Sequence, residues 1–186
     1  MHGNLATSRP VLERIAFKTS RLLDFASRKE LTAQTGHEPE YWPLVILKEL
    51  VDNSLDACEE AGIAPDILVQ VDNDAITVVD NGPGLPTKTV EGALDFSIRV
   101  SSRDAYVSPT RGAQGNALKT VFTIPFVIDG ERGRVEIDAC GVRHDVEFRV
   151  DRIRQEPVIN HAKAQSSVKS GTRIRVLWPD LAKLNG

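Results

Sequence analysis

The sequence predicts an α+β fold: a two-layer sandwich with helices packed on one face of a mixed, mostly antiparallel sheet. Three observations carry that prediction. Apolar residues recur at helical spacing through the first third of the chain, from Val11 to Ala61. Short β-branched runs separated by turn residues fill most of the chain from Ile67 to Trp178. Helices therefore come first and strands mostly later, an order that suits a layered α+β domain rather than the strict alternation of a parallel sheet.

Taken in order, Val11 to Leu31 reads as one broken helix or two short ones, with a cap at Thr19-Ser20, and Thr35 to Pro39 as a turn. A long helix is expected from Pro43 to Ala61, with Leu44, Leu47, Leu50, Val51, Leu55 and Cys58 as its apolar stripe and Gly62 as its C-terminal cap. Ile67–Val71 and Ala75–Val79 form a hairpin about Asp72-Asn73-Asp74. Pro86 to Arg111 is polar and too long to be inert connection, so it is expected to form a lid. Further strands are expected at Val121–Asp129, Arg134–Ala139, Val142–Asp151, Ile153–Ile159 and Thr172–Trp178, with a polar loop at 160–170.

With 186 residues, 41% of them hydrophobic, the chain suffices for one core and one domain. A net charge of −3 supplies no cationic field, so little direct nucleic-acid binding is expected of this domain, and the arginines between Arg149 and Arg154 read as a solvated edge-strand face. Cys58 and Cys140 are too few for a disulfide framework or a zinc site and read as buried thiols of a reducing compartment. No apolar run suits a bilayer and no signal core opens the chain, so a cytoplasmic protein that does not enter a membrane is expected.

Three strings carry chemistry. Glu49 and Asn53 stand one turn apart on one face of the long helix, with Asp56 nearby. Alone they would be a solvated face; with apolar stripes on both flanks they line a pocket edge. Asp80-Asn81-Gly82-Pro83-Gly84 follows a strand directly. It is a β-turn by composition, yet a carboxylate at a strand end, followed by glycines that let a ligand approach, can accept a hydrogen bond from an exocyclic amine. Gly112-Ala113-Gln114-Gly115-Asn116-Ala117-Leu118-Lys119 is neither a Walker A loop nor a dinucleotide fingerprint. Glycines opening a helix free backbone N–H groups for an anion at its positive end, and phosphate is the natural guest.

In this order and spacing the three strings resemble the GHKL ATPases, the family of gyrase-type topoisomerase subunits, heat-shock chaperones, sensor histidine kinases and MutL proteins. Glu49 to Asn53 looks like the N box, Asp80 to Gly84 the first glycine box, Gly112 to Lys119 the second, and Gly171-Thr172 the late Gly-Thr element. The wording of Lys48 to Ile67, and of Arg111 to Gly115, is most similar to that of topoisomerase VI B subunits, whereas Gly115-Asn116-Ala117-Leu118 is nearer to MutL.

The resemblance implies a Bergerat fold that binds ATP and Mg2+ and hydrolyses ATP. It divides the chain into an N-terminal helical segment or strap at 1–40 and an ATP-binding domain at 41–180, with the lid at 86–111. It makes Asn53 the metal ligand and Glu49 the residue that polarises the attacking water. Asp80 would read the adenine amino group with Thr172 beside it, while Gly82 and Gly84 shape the turn and hinge. The backbone from Gly112 through Gln114, Gly115, Asn116, Ala117 and Leu118 would cradle the phosphates, with Ser102, Arg103 and Lys119 adding lid and charge contacts. A nucleotide-dependent homodimer and a DNA-cleaving partner subunit are implied with it. The family takes a further lysine from a second domain, so hydrolysis by these residues alone is expected to be slow. Two other readings stay open: a nucleotide-binding interaction module that does not hydrolyse, and a histidine kinase, for which His37 lies too close to Glu49 to sit on the usual helical hairpin.

Overall fold

The computed structural model describes residues 18–20, 22–99, 112–153 and 156–178, with the backbone alone at 18–20, 23–24, 97–99 and 112–116. Its helices are α1 (Leu22–Phe25), α2 (Arg28–Thr35), α3 (Trp42–Glu60), α4 (Thr87–Ala93) and α5 (Gly112–Asp129). Its strands are β1 (Lys18–Ser20), β2 (Ile67–Val71), β3 (Ala75–Asp80), β4 (Ser97–Arg99), β5 (Arg132–Ala139), β6 (Val142–Asp151), β7 (Glu156–Gln165) and β8 (Thr172–Leu177). Six strands form one sheet in the order β2-β3-β8-β5-β6-β7, and β1 pairs separately with β4. Every described pairing is antiparallel.

Side-chain alternation sorts the sheet into a dry face and a charged one. Val135, Ile137, Val146, Phe148, Ile174 and Val176 are buried in the core they share with the helices. On the other face the partners across β5, β6 and β8 are ions: Arg134 bonds both oxygens of Asp145, and Asp138 accepts from Arg143 and Arg173. Asp138 is itself buried. Burial alone would raise its pKa, but the hydrogen bonds from Arg143, Ser166 and Arg173 outweigh it and hold the carboxyl below the usual range.

Several expectations need correcting. Val121–Asp129 is not a strand but the second half of α5, which runs on through Pro125. Val121, Phe122 and Ile124 are fully buried, and a helix apolar all round loses the 3.6-residue period that would betray it. On α3 the buried line is Trp42, Val45, Ile46, Leu50, Ser54 and Cys58, whereas Leu44 and Leu55 face solvent at 63% and 42% exposure. The core thus meets a face rotated from the expected stripe. Residues 160–165 are not loop but the second half of β7, whose polar residues suit the sheet's edge; the strand begins at Glu156, not Ile153. Pro86–Arg111 holds α4 and β4 as far as Arg99, and the rest of the expected lid lies outside the described residues. So does the chain before Lys18, while the remainder of the first expected helical stretch is β1, α1 and the start of α2. Cys140 is exposed, not buried; it sits with Gly141 at the β5–β6 turn at a φ of 51°. Among the described residues no helix is long and apolar enough to cross a membrane.

Candidate functional site

The chemistry-bearing strings converge where α3 crosses the end of β3. Asp80, the last residue of β3, is fixed by three contacts. Its Oδ1 accepts the backbone N–H of Gly82 at 2.9 Å and that of Thr172 at 3.1 Å. Its Oδ2 lies 3.1 Å from the hydroxyl of Ser54, which stands 2.9 Å from the Leu50 carbonyl and has one proton to give to either. One carboxylate oxygen is therefore saturated by backbone donors, and the other keeps accepting capacity.

The backbone around it is cut to glycine. Gly171 donates its N–H to the Gly82 carbonyl at 2.8 Å, its φ is 74°, and a β-carbon there would collide with the Asp80 carbonyl oxygen. Gly84, at φ 91°, backs onto Cys140, where a β-carbon would meet the sulfur at 2.9 Å. Asn81 points away from the site; its side chain accepts from Asp66 N–H and donates to the Ala64 carbonyl, tying down the loop between α3 and β2.

Beneath Asp80 opens a cavity of about 190 Å³. Leu50, Ala57, Leu85, Leu118 and Ile174 make it apolar, while Asn53, Ser54, Asp80, Thr89 and Thr172 supply a few polar groups. Mostly apolar walls with sparse acceptors suit a heteroaromatic ring. Cys58, fully buried below the turn, has its thiol pushed up by burial and then by the charge of Asp80, so it stays protonated.

At the cavity's other side the Asn53 amide leaves its buried Nδ2 without a hydrogen-bond partner among the described residues. A buried amide end left unpaired costs free energy unless something else fills its coordination. Nitrogen and oxygen of such an amide are exchangeable by a flip, so an oxygen can be turned to the same place. With its oxygen so turned, the amide can serve as a single oxygen ligand to a hard cation whose other ligands come from elsewhere.

Glu49, one turn earlier on α3, lines a second cavity of about 420 Å³ with His37, Lys48, Ala117 and Thr120 among its walls. Lys48 donates to Asp52 at 2.6 Å and stands 3.6 Å from Glu49; the Asp52 bond and then the Glu49 charge raise its pKa. The consecutive residues Ala117 and Leu118 face the second and first cavity respectively, so the opening turns of α5 border both.

Of the residues expected at the site, Asn53, Asp80, Gly84, Leu118 and Thr172 thus share one cavity, with Gly82 in the turn that binds Asp80. Glu49 and Ala117 line the neighbouring one. Gly112, Gln114, Gly115 and Asn116 supply backbone to the first turns of α5. Lys119 turns elsewhere: its ammonium donates to the Asp95 carbonyl at 2.6 Å and sits 5.2 Å from the Phe96 ring centre. Ser102 and Arg103 lie outside the described residues. Ser54 is a site residue that the motifs do not single out; its one signal is its place directly after Asn53 on a helix facing Asp80. His37 is exposed in the turn before α3, its ring tilted on Tyr41.

Similarity to known proteins points one way. The chain is 30% identical over 186 residues to the B subunit of type 2 DNA topoisomerase 6 from Natronomonas pharaonis, covering 94% of this chain. It is 43% identical over 140 residues to the same subunit from Archaeoglobus fulgidus, covering 72% of this chain. In both comparisons the chain spans 23% of the relative's length. Among solved structures, the topoisomerase IV ATP-binding domain of Francisella tularensis matches at 20% identity and a TM-score of 0.48, over 90% of this chain and 76% of that one. The 43K ATPase domain of Thermus thermophilus gyrase B matches at 24% identity and a TM-score of 0.40, over 73% and 33%. No family model matches the chain.

Proposed function

We propose that this chain, which belongs to the GHKL ATPase superfamily as a relative of the topoisomerase 6 B subunits, binds Mg-ATP in the cavity beneath Asp80 and hydrolyses it slowly. The observation that carries the reading is the division of labour on Asp80: Oδ1 is consumed by the N–H groups of Gly82 and Thr172, and Oδ2 is left to accept an exocyclic amine. Adenine offers such an amine and a flat face for Leu50, Leu118 and Ile174.

From that anchor the triphosphate extends toward Asn53 and the N-terminal turns of α5, where a helix's first N–H groups and its dipole favour negative charge. Mg2+ held by the Asn53 amide would neutralise phosphate charge as it builds on the leaving oxygens. Glu49, one turn away, orients a water and accepts its proton. Lys48, already bonded to Asp52, places positive charge near that carboxylate.

On the same reading, residues 86–111 close over the nucleotide, residues 1–40 serve as a strap, and the bound state favours a homodimer that works with a DNA-cleaving subunit. The relatives are named as one subunit of a DNA topoisomerase, which supports a partner subunit, and this step concerns a longer assembly than the matched fraction. A second reading, a module that binds nucleotide without hydrolysing it, is favoured by one observation: Glu49 lines a different cavity from Asp80.

The metal assignment is tested by titrating ATP with and without Mg2+ into the parent and Asn53→Ala. Mg2+ should tighten binding in the parent and have little effect in the variant. An equal magnesium effect in both would remove Asn53 from that role.

A further inference from the structure

We propose that His144 and His161 form a proton-sensitive pin that positions α4 and, with it, one wall of the cavity beneath Asp80. Its consequence for nucleotide rests on the reading above; the pin itself does not.

The two rings lie on the core side of β6 and β7. His144 is fully buried, and its Nδ1 stands 2.8 Å from His161 Nε2, with the rings stacked at 5.1 Å between centroids and 25° between planes. The Nε2 of His144 reaches Thr87 Oγ1, the first residue of α4, at 3.3 Å. One turn further along α4, Glu91 accepts from Lys163 of β7 at 2.8 Å. The short helix is thus held to the sheet at two points on one face. Its other residues Thr89 and Ala93 line the cavity, and Val90 is buried in the core. A shift of α4 away from the sheet therefore moves a wall of the site.

Counting protons shows why the pin responds to acid. With both rings neutral, the Thr87 hydroxyl donates to His144 Nε2, and His144 Nδ1–H donates to His161 Nε2. One added proton can be absorbed by reversing the chain, so that His161 Nε2–H donates to His144 Nδ1 and His144 Nε2–H donates to Thr87. A second proton places N–H against N–H across a 2.8 Å contact, which cannot persist.

The surroundings set where this happens. Burial is the largest influence on both rings and holds both below the ordinary histidine range. Lys163 on β7 works in the same direction, as does His161 upon His144. Glu91 on α4 opposes it for both rings and Asp138 on β5 for His144. The described side chains of α1, which packs on β7, are Leu22 and Phe25 and carry no charge. Because both folded values lie below the ordinary 6.5, the pin is intact above that pH and is lost as pH falls through the depressed values.

The test follows amide exchange of residues 87–93 and the affinity for Mg-ATP from about pH 7.5 to about pH 5 in the parent and in His161→Gln, with imidazole titration by NMR in the parent. Glutamine keeps an acceptor for the His144 N–H and takes up no proton. In the parent, α4 protection and Mg-ATP affinity should fall on acidification, by about tenfold per pH unit for each proton taken up. In His161→Gln only His144 is left to take up a proton, so on a logarithmic scale the acid loss should shrink to about half the parent's or less, with affinity at the upper pH unchanged within about twofold. Should the glutamine variant not fold, both imidazoles titrating below the ordinary value in step with α4 exchange would still support the pin. Exchange of α4 indifferent to pH in the parent, or the same acid profile in both proteins, overturns it. If α4 responds as expected but Mg-ATP binds at no pH, the pin stands and the nucleotide reading falls. If Mg-ATP binds and its acid loss ignores the substitution, the reverse holds.

Discussion

The backbone N–H of Thr172 donates to Asp80 Oδ1 at 3.1 Å, joining residues 92 apart in the chain. This bond ties the carboxylate to the sheet as well as to the turn it opens. β8 lies beside β3, with Arg173 opposite Val79, so the start of one strand caps the end of the other. A side chain held in this way is oriented before any ligand arrives, which reduces the entropy lost on binding.

The close approach that allows that bond should not tolerate a side chain. Gly171→Ala places a methyl group against the Asp80 carbonyl at a φ of 74°, whereas Gly36→Ala has a similar φ of 69° with nothing within 4 Å. Gly36→Ala should cost about 1 kcal/mol, the left-handed penalty alone, and Gly171→Ala about 2 kcal/mol or more. Denaturant unfolding of the two variants compares them, and equal losses would show that the contact between Gly171 and Asp80 is slack.

Glu49→Ala should bind Mg-ATP as the parent does and lose turnover by about 10²–10⁴-fold, the usual worth of a general base. Phosphate release at saturating ATP measures it. Turnover at the parent rate would instead favour a module whose Glu49 has no part in chemistry, consistent with its separate cavity.

Asp138→Asn probes the charged face. Removing the charge deprives Arg143 and Arg173 of their partner, and since both are partly exposed the loss should be modest, about 1–3 kcal/mol. The carboxyl's depressed pKa gives the sign: its contribution is present above the ordinary value of 3.8 and is lost as pH falls through the folded value. Thermal melts should therefore separate parent and variant at neutral pH and converge in strong acid.

How much of the molecule is legible in its sequence depends on range. Asp80, Asn53 and the glycine turns announce themselves because their chemistry is local: a carboxylate after a strand, an amide on a helix face, residues that permit a positive φ. The order of helices and strands is legible for the same reason. The α5 half from Val121 to Asp129 is not, because a helix buried on all sides presents the same apolar run as a buried strand. The second half of β7 is hidden by polar residues that an edge position accommodates. Ser54 and the His144–His161 pair depend on packing and register between distant elements: Val146 opposite His161 brings His144 diagonally beneath it. No local pattern encodes that pairing.

Whether Asp80 reads adenine is decided by calorimetric titration of ATP and GTP into the parent and Asp80→Asn. Asparagine can keep its carbonyl oxygen toward Gly82 and Thr172, but it then presents a donor where the ligand amine needs an acceptor. The parent should prefer ATP, and the variant should lose ATP affinity by about 10–100-fold, the worth of a charged hydrogen bond, with GTP little changed. Equal affinities of the parent for ATP and GTP, or equal losses of both in Asp80→Asn, would mean that Asp80 does not read adenine.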